Sequence, residues 1–266
     1  MKIGNLEFNV KISGDAAPFV WAHGLMCSME WEDGSGIFGW SEIASAARVV
    51  RYDARGHGRS EGSLQAADYQ WVSLGRDMLS IADACGIEKF VAGGQSMGSA
   101  TALSAAMLAP ERVKAIVLYT PPAIWETRTN QAAIYSLIAK IAGDKGSRDM
   151  SGLMKQSPER TFPPWLLQSM GDRVNVFWDG IAGFDKEVLV NVLGGSAQSN
   201  LPPREEVASL KMPVLILAWP DDVVHPLQSA YSLHETLPQS ELVIARDMDD
   251  VRQWPGRIKE FILKNG

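Results

Sequence analysis

Gly94-Gln95-Ser96-Met97-Gly98 has the residue types and spacing needed to activate a serine. It follows the apolar run Phe90 to Gly93 and precedes a segment of helical periodicity, so Ser96 falls on a strand-to-helix turn. Glycines two residues to either side leave room for a sharp bend that lifts the hydroxyl above the sheet edge. The same bend aims the Met97 amide at the space before Ser96, and the N-terminus of the next helix favours negative charge there. The chemistry this serves is attack on a carbonyl, with the resulting oxyanion held by amides. A serine hydroxyl attacks poorly until a base takes its proton, and histidine, with a pKa near about 6.5, suits that task.

The chain holds four histidines, His23, His57, His225 and His234. His23 begins His23-Gly24-Leu25 at the end of a predicted strand, and is read as bracing its loop. His57 lies in Tyr52-Asp53-Ala54-Arg55-Gly56-His57-Gly58-Arg59-Ser60, a glycine-rich, charged turn, and is read as structural. His234 falls on a surface-like helical segment. His225 belongs to Trp219-Pro220-Asp221-Asp222-Val223-Val224-His225-Pro226, three residues past Asp222. Cys27 is read as a small apolar filler, because no histidine or helix N-terminus stands near it to make a thiolate. Metal-ligand spacing is absent, as are a P-loop and Gly-x-Gly-x-x-Gly, so no cofactor is expected.

Short apolar runs position these residues. Pro18 to Ala22, Arg48 to Tyr52, Phe90 to Gly93, Val113 to Tyr119, Val214 to Trp219 and Leu242 to Ala245 suit strands buried on both faces. Leu6 to Ile12 alternates apolar and polar, which predicts a strand with one wet face. Helical spacing recurs at Trp71 to Ala82, Ala100 to Leu108, Leu227 to Leu237 and Gln253 to Lys264. This alternation implies right-handed crossovers and a doubly wound, mostly parallel α/β sheet. Between Pro121 and Pro213 no strand is predicted. Helix-like pieces around Ala132 to Ala142 and Glu187 to Leu193 suggest a helical cap inserted between two strands. Met150, Met154, Trp165, Met170, Phe177 and Trp178 are either the lining of a ligand pocket in this cap or its own core, the latter being the default for any one of them.

At this point the sequence resembles the α/β-hydrolase family. The carriers are the His-Gly loop, Asp-x-Arg-Gly-His-Gly-x-Ser, Gly-x-Ser-Met-Gly, the helical insertion and the late strand with an Asp-rich turn. The resemblance runs from about Leu6 to Leu263 and is nearest to the cap-bearing esterase, enol-lactonase and cofactor-free haloperoxidase-like branch. It implies a core of residues 1–121 and 213–266 and a cap of 122–212, with Leu25 and Met97 supplying oxyanion amides. It also places the acid four residues before a proline, at Asp222, with Asp221 the runner-up. One departure stands out. The family's histidine follows the last strand, where this chain reads Arg246-Asp247-Met248-Asp249-Asp250-Val251, and Asp249 or Asp250 holds the slot. The base is therefore left open between His225, His23, an aspartate and none.

The function expected is hydrolysis of a carboxylic ester, lactone or related acyl compound through an acyl-enzyme on Ser96, with Asp222 orienting His225. The alternative is a weakened pseudo-hydrolase that binds a small apolar ligand. The formal net charge of −6 excludes nucleic acid or an anionic membrane as expected partners, leaving a small molecule. Two cysteines, a charged N-terminal stretch and no run of about 18 apolar residues point to the cytoplasm.

Overall fold

The computed structural model describes residues 1–266. A hairpin of β1 (Lys2–Ile3) and β2 (Leu6–Glu7) precedes a seven-stranded sheet. That sheet comprises β3 (Val10–Ser13), β4 (Ala17–Ala22), β5 (Ala47–Tyr52), β6 (Phe90–Gln95), β7 (Val113–Tyr119), β8 (Val214–Ala218) and β9 (Ser240–Ile244). Its order is β3-β5-β4-β6-β7-β8-β9. All pairings are parallel except β3 with β5.

The buried strands come from the compact apolar runs because a parallel sheet hides both faces. In β4, Val20 and Ala22 join one buried cluster while Phe19 and Trp21 join the other. Helices α3 (Trp71–Ala84) and α4 (Met97–Leu108) cover the first face. Helices α1 (Met29–Ser35), α2 (Trp40–Ala44) and α13 (Trp254–Asn265) cover the second.

The expected single strand over Leu6 to Ile12 is divided instead. Leu6–Glu7 pairs with Lys2–Ile3 around Gly4, whose φ of 59° suits glycine, and Val10–Ser13 continues as the antiparallel edge. Period-two alternation registers a wet face but does not reveal a change of partner.

Between β7 and β8 the chain is helical, running from α5 (Arg128–Lys145) through α6 (Ser147–Lys155), α7 (Pro164–Met170), α8 (Asn175–Ala182) and α9 (Lys186–Ala197) to α10 (Arg204–Val207). Arg128 fastens the ends of this insertion together. Its Nε donates to Ser199 O at 2.7 Å, and its terminal nitrogens donate to Ser196 O and Ala123 O. Its guanidinium lies 4.3 Å from the Trp71 ring centroid, against the core. No helix is long and apolar enough to cross a membrane.

Candidate active site

The parallel strands bring their carboxyl ends to one edge, and the loops there carry the chemistry. Ser96 follows β6 with φ 53° and ψ −114°, a conformation that L-residues rarely adopt. The flanking glycines are sterically required. A Cβ on Gly98 would sit 1.9 Å from Ala22 O, and one on Gly94 would sit 2.2 Å from the Gly98 carbonyl carbon. Ser96 N donates to Tyr119 O at 2.9 Å, and Ser99 Oγ donates to Gly94 O at 2.7 Å, so the bend is tied to both strands. Ser96 is 6% exposed, and its hydroxyl makes no cap bond to its own helix.

The Gly24 loop lies against this bend. A Cβ built on Gly24 would meet the Ser96 Cβ at 3.5 Å and Cys27 Sγ at 3.3 Å. The turn is closed by Cys27 N donating to Gly24 O at 3.1 Å, while the Leu25 amide donates to no backbone acceptor. The Met97 amide opens α4 and is one of the four that a helix leaves without an internal partner.

Asp222 and His225 are brought together. Asp222 Oδ2 accepts from His225 Nδ1 at 2.8 Å and from Trp219 Nε1 at 2.6 Å. Oδ1 accepts from the amides of Val224 and His225, both at 2.9 Å. Burial pushes the Asp222 pKa up, but the His225 charge and these hydrogen bonds outweigh it, leaving the carboxyl below its ordinary range. An ionised Asp222 holds His225 as the Nδ1–H tautomer. Nε2 is then left with its lone pair, buried and without a protein partner. Asp221 turns away, exposed and at φ 61°.

The other three histidines are engaged elsewhere. His23 is fully buried, with Nδ1 bonded to Gly24 O at 2.7 Å and Nε2 accepting from Ala54 N at 2.9 Å. Burial lowers its pKa. His57 packs edge-on to His23 and to Phe184. Burial first, then the His23 charge, drop it to about 3, so it is neutral. His234 pairs with Ser240 Oγ on the surface.

Asp249 and Asp250, in the slot of the family histidine, are bonded locally. Asp249 is exposed and pairs with Arg252, while Asp250 accepts from the Arg246 amide. Both belong to the capping of α12 (Met248–Val251), whose N-cap is Asp247. An aspartate at a short helix start prefers bonding to free amides over burial.

The proposed lining of the cap is core. Met150, Met170, Phe177 and Trp178 are buried in the cluster on the second sheet face, and Met154 and Trp165 pack against it. A groove of about 890 Å³ is polar instead. It runs past Met26 and Cys27, beside the Gly24 loop, to Phe184 and Asp185 of the insertion, and Ser96 is not among its lining residues. Burial raises the Cys27 thiol well above its ordinary value.

Two contributors escaped sequence reasoning. Trp219 has no motif to mark it, only its place three residues before Asp222. Thr120, directly after β7, is 1% exposed, has φ 44° and leaves Oγ1 without a partner. The five non-glycine residues at positive φ are Met26, Ser96, Thr120, Trp125 and Asp221. All follow β4, β6, β7 or β8, so backbone strain collects at this one edge, as it does at functional sites.

A family model described as alpha/beta hydrolase fold matches residues 38–254. The 3-oxoadipate enol-lactonase 1 of Acinetobacter baylyi is 27% identical over 214 residues, covering 79% of this chain and 76% of that one. RutD of Klebsiella pneumoniae, named as an inferred carbamate hydrolase, is 26% identical over 198 residues, covering 74% and 71%. A thermophilic esterase from Thermogutta terrifontis superposes with a TM-score of 0.81 at 20% identity, covering 97% of this chain and 94% of that chain. At that identity the likeness speaks for the fold.

Proposed function

We infer that this chain, which belongs to the α/β-hydrolase fold family, is a cofactor-independent serine hydrolase of a carboxylic ester, lactone or related acyl compound. The observation that supports this most is a strained serine at the carboxyl edge of the sheet, together with an Asp222–His225 couple whose Nε2 has no other partner. The names of the relatives, an enol-lactonase, an inferred carbamate hydrolase and an esterase, all describe scission at an acyl carbon.

In this reading Ser96 Oγ bonds to the substrate carbonyl carbon as its proton passes to His225. The carbonyl electrons move onto oxygen, held by the amides of Leu25 and Met97. Collapse expels the alcohol or amine, which takes the proton back from His225, and water repeats the cycle on the acyl-enzyme. Residues 122–212 act as a cap over the carboxyl edge of a core formed by 1–121 and 213–266. The substrate is a small molecule, and the enzyme works in the cytoplasm.

Ser96→Ala abolishes turnover of short p-nitrophenyl esters and labelling by a fluorophosphonate, measured side by side with wild type. Equal behaviour of the two proteins would remove Ser96 as nucleophile.

A second reading has its own observation: Ser96 Oγ and His225 Nε2 are not hydrogen-bonded to each other. A pseudo-hydrolase would fail to label yet melt at a higher temperature with its ligand bound.

A further inference from the structure

The nucleophile and the imidazole stand on loops two strands apart. Ser96 follows β6 and His225 belongs to the loop after β8, with β7 between them. Neighbouring strands are about 4.8 Å apart, so the two loops start about 10 Å from each other. The register is direct: Gln95 pairs with Tyr119, and Tyr119 pairs with Leu217. One residue further on, Thr120 stands between Ser96 and the acid loop. Its amide donates to Leu217 O at 2.7 Å, while the Tyr119 carbonyl accepts from Ser96 N at 2.9 Å.

Thr120 is held there against its preferences. A β-branched residue at φ 44° is a steric outlier, and the residue before a proline, here Pro121, is driven towards extended backbone. Its hydroxyl is also buried with no partner, an unpaid desolvation. Two separate costs fall on one side chain, at the end of the strand that lies between those leading to Ser96 and to His225.

We propose that the Thr120 hydroxyl relays the proton between Ser96 and His225. This rests on the serine-hydrolase reading above. As Ser96 Oγ bonds to the carbonyl carbon, its proton moves to Thr120 Oγ1 and the proton of Thr120 moves to His225 Nε2. The return path delivers it to the leaving group when the acyl–oxygen or acyl–nitrogen bond breaks. The relay does in this chain what a histidine after β9 would do directly.

The test compares Thr120→Val, isosteric and without a hydroxyl, with Thr120→Ser, which restores it. Thr120→Val lowers kcat on a p-nitrophenyl ester about 100-fold or more with KM within about twofold, and Thr120→Ser recovers most of the loss. The wild-type rate bows downward against deuterium fraction, as two moving protons require, and the Thr120→Val residual is linear. Thr120→Gly suits the positive φ yet lacks the hydroxyl, so its kcat falls as far as that of Thr120→Val, which separates the loss of the hydroxyl from backbone strain. A Thr120→Val enzyme within about threefold of wild type, beside inactive Ser96→Ala and His225→Ala, overturns the relay and leaves the hydrolase reading standing. Turnover surviving in Ser96→Ala overturns both.

Discussion

Both oxygens of Asp222 are occupied by two donors each, and one donor comes from a side chain with no catalytic chemistry of its own, Trp219. Trp219 is buried, stacked on Trp254 and edge-on to Tyr119. Its N–H shares Oδ2 with His225, fixing the carboxylate plane that orients the imidazole. Trp219→Phe keeps the stacking and deletes the N–H. A hydrogen bond to a charged group contributes about 1.5–3 kcal/mol, so the melting temperature should fall, and with the carboxylate less firmly oriented kcat should fall about tenfold with little change in KM. Kinetics within about twofold of wild type would make Trp219 a packing residue alone. Glycine spacing and, through the family resemblance, the distance to a proline offered Ser96 and Asp222 as candidates, with His225 one of several bases left open. The structure brings Asp222 and His225 into contact. Trp219 and Thr120 were not legible in the sequence, because a loop's fold-back and a positive φ at a β-branched residue leave no compositional trace.

Elements were legible where burial decided their composition. The strands at Val113–Tyr119 and Val214–Ala218 are apolar runs, broken only by exposed Lys114, because helices cover both faces. At Leu6 to Ile12 the same reasoning found extended chain but missed the hairpin, since edge pairing is set by partners rather than by the strand's own residues. The longest helix of the insertion, α5, was seen only at its centre, as its first turn is organised by Arg128 rather than by an apolar stripe. Arg128 has three carbonyl acceptors and no carboxylate among its hydrogen-bond partners, and burial lowers its pKa. Arg128→Ala leaves those carbonyls unpaired and should cost about 2–4 kcal/mol. The loss should be local. Limited proteolysis should cut between residues 122 and 212 well before the sheet, which keeps its hydrogen-exchange protection. Unchanged cleavage would show that α5 and α9 hold each other without the clip.

Across the whole molecule, two buried titratable groups pull stability in opposite directions. Glu32 on α1 is held by Trp21 Nε1 at 2.6 Å and by Arg51 Nε at 3.4 Å, with Asp33 and Asp53 as the nearby like charges. Burial, opposed by Arg51 and Trp21, raises its pKa from 4.5 to about 8. The folded state therefore binds a proton that the unfolded chain has released, and stability falls as pH rises between those values. His57, lowered from 6.5 to about 3, does the reverse, so stability falls as pH drops through that interval. From 4.5 to 6.5 these two slopes cancel each other, and above 6.5 the Glu32 slope alone continues towards 8. Glu32→Gln keeps an oxygen for Trp21 and deletes the titration. Its advantage over wild type should grow as pH rises from 4.5 and reach at most about 5 kcal/mol at pH 8. Denaturant midpoints at three pH values suffice, since every other group cancels in the difference. Parallel curves for the two proteins would mean that Glu32 is ionised in the fold, with Arg51 as a full ion-pair partner.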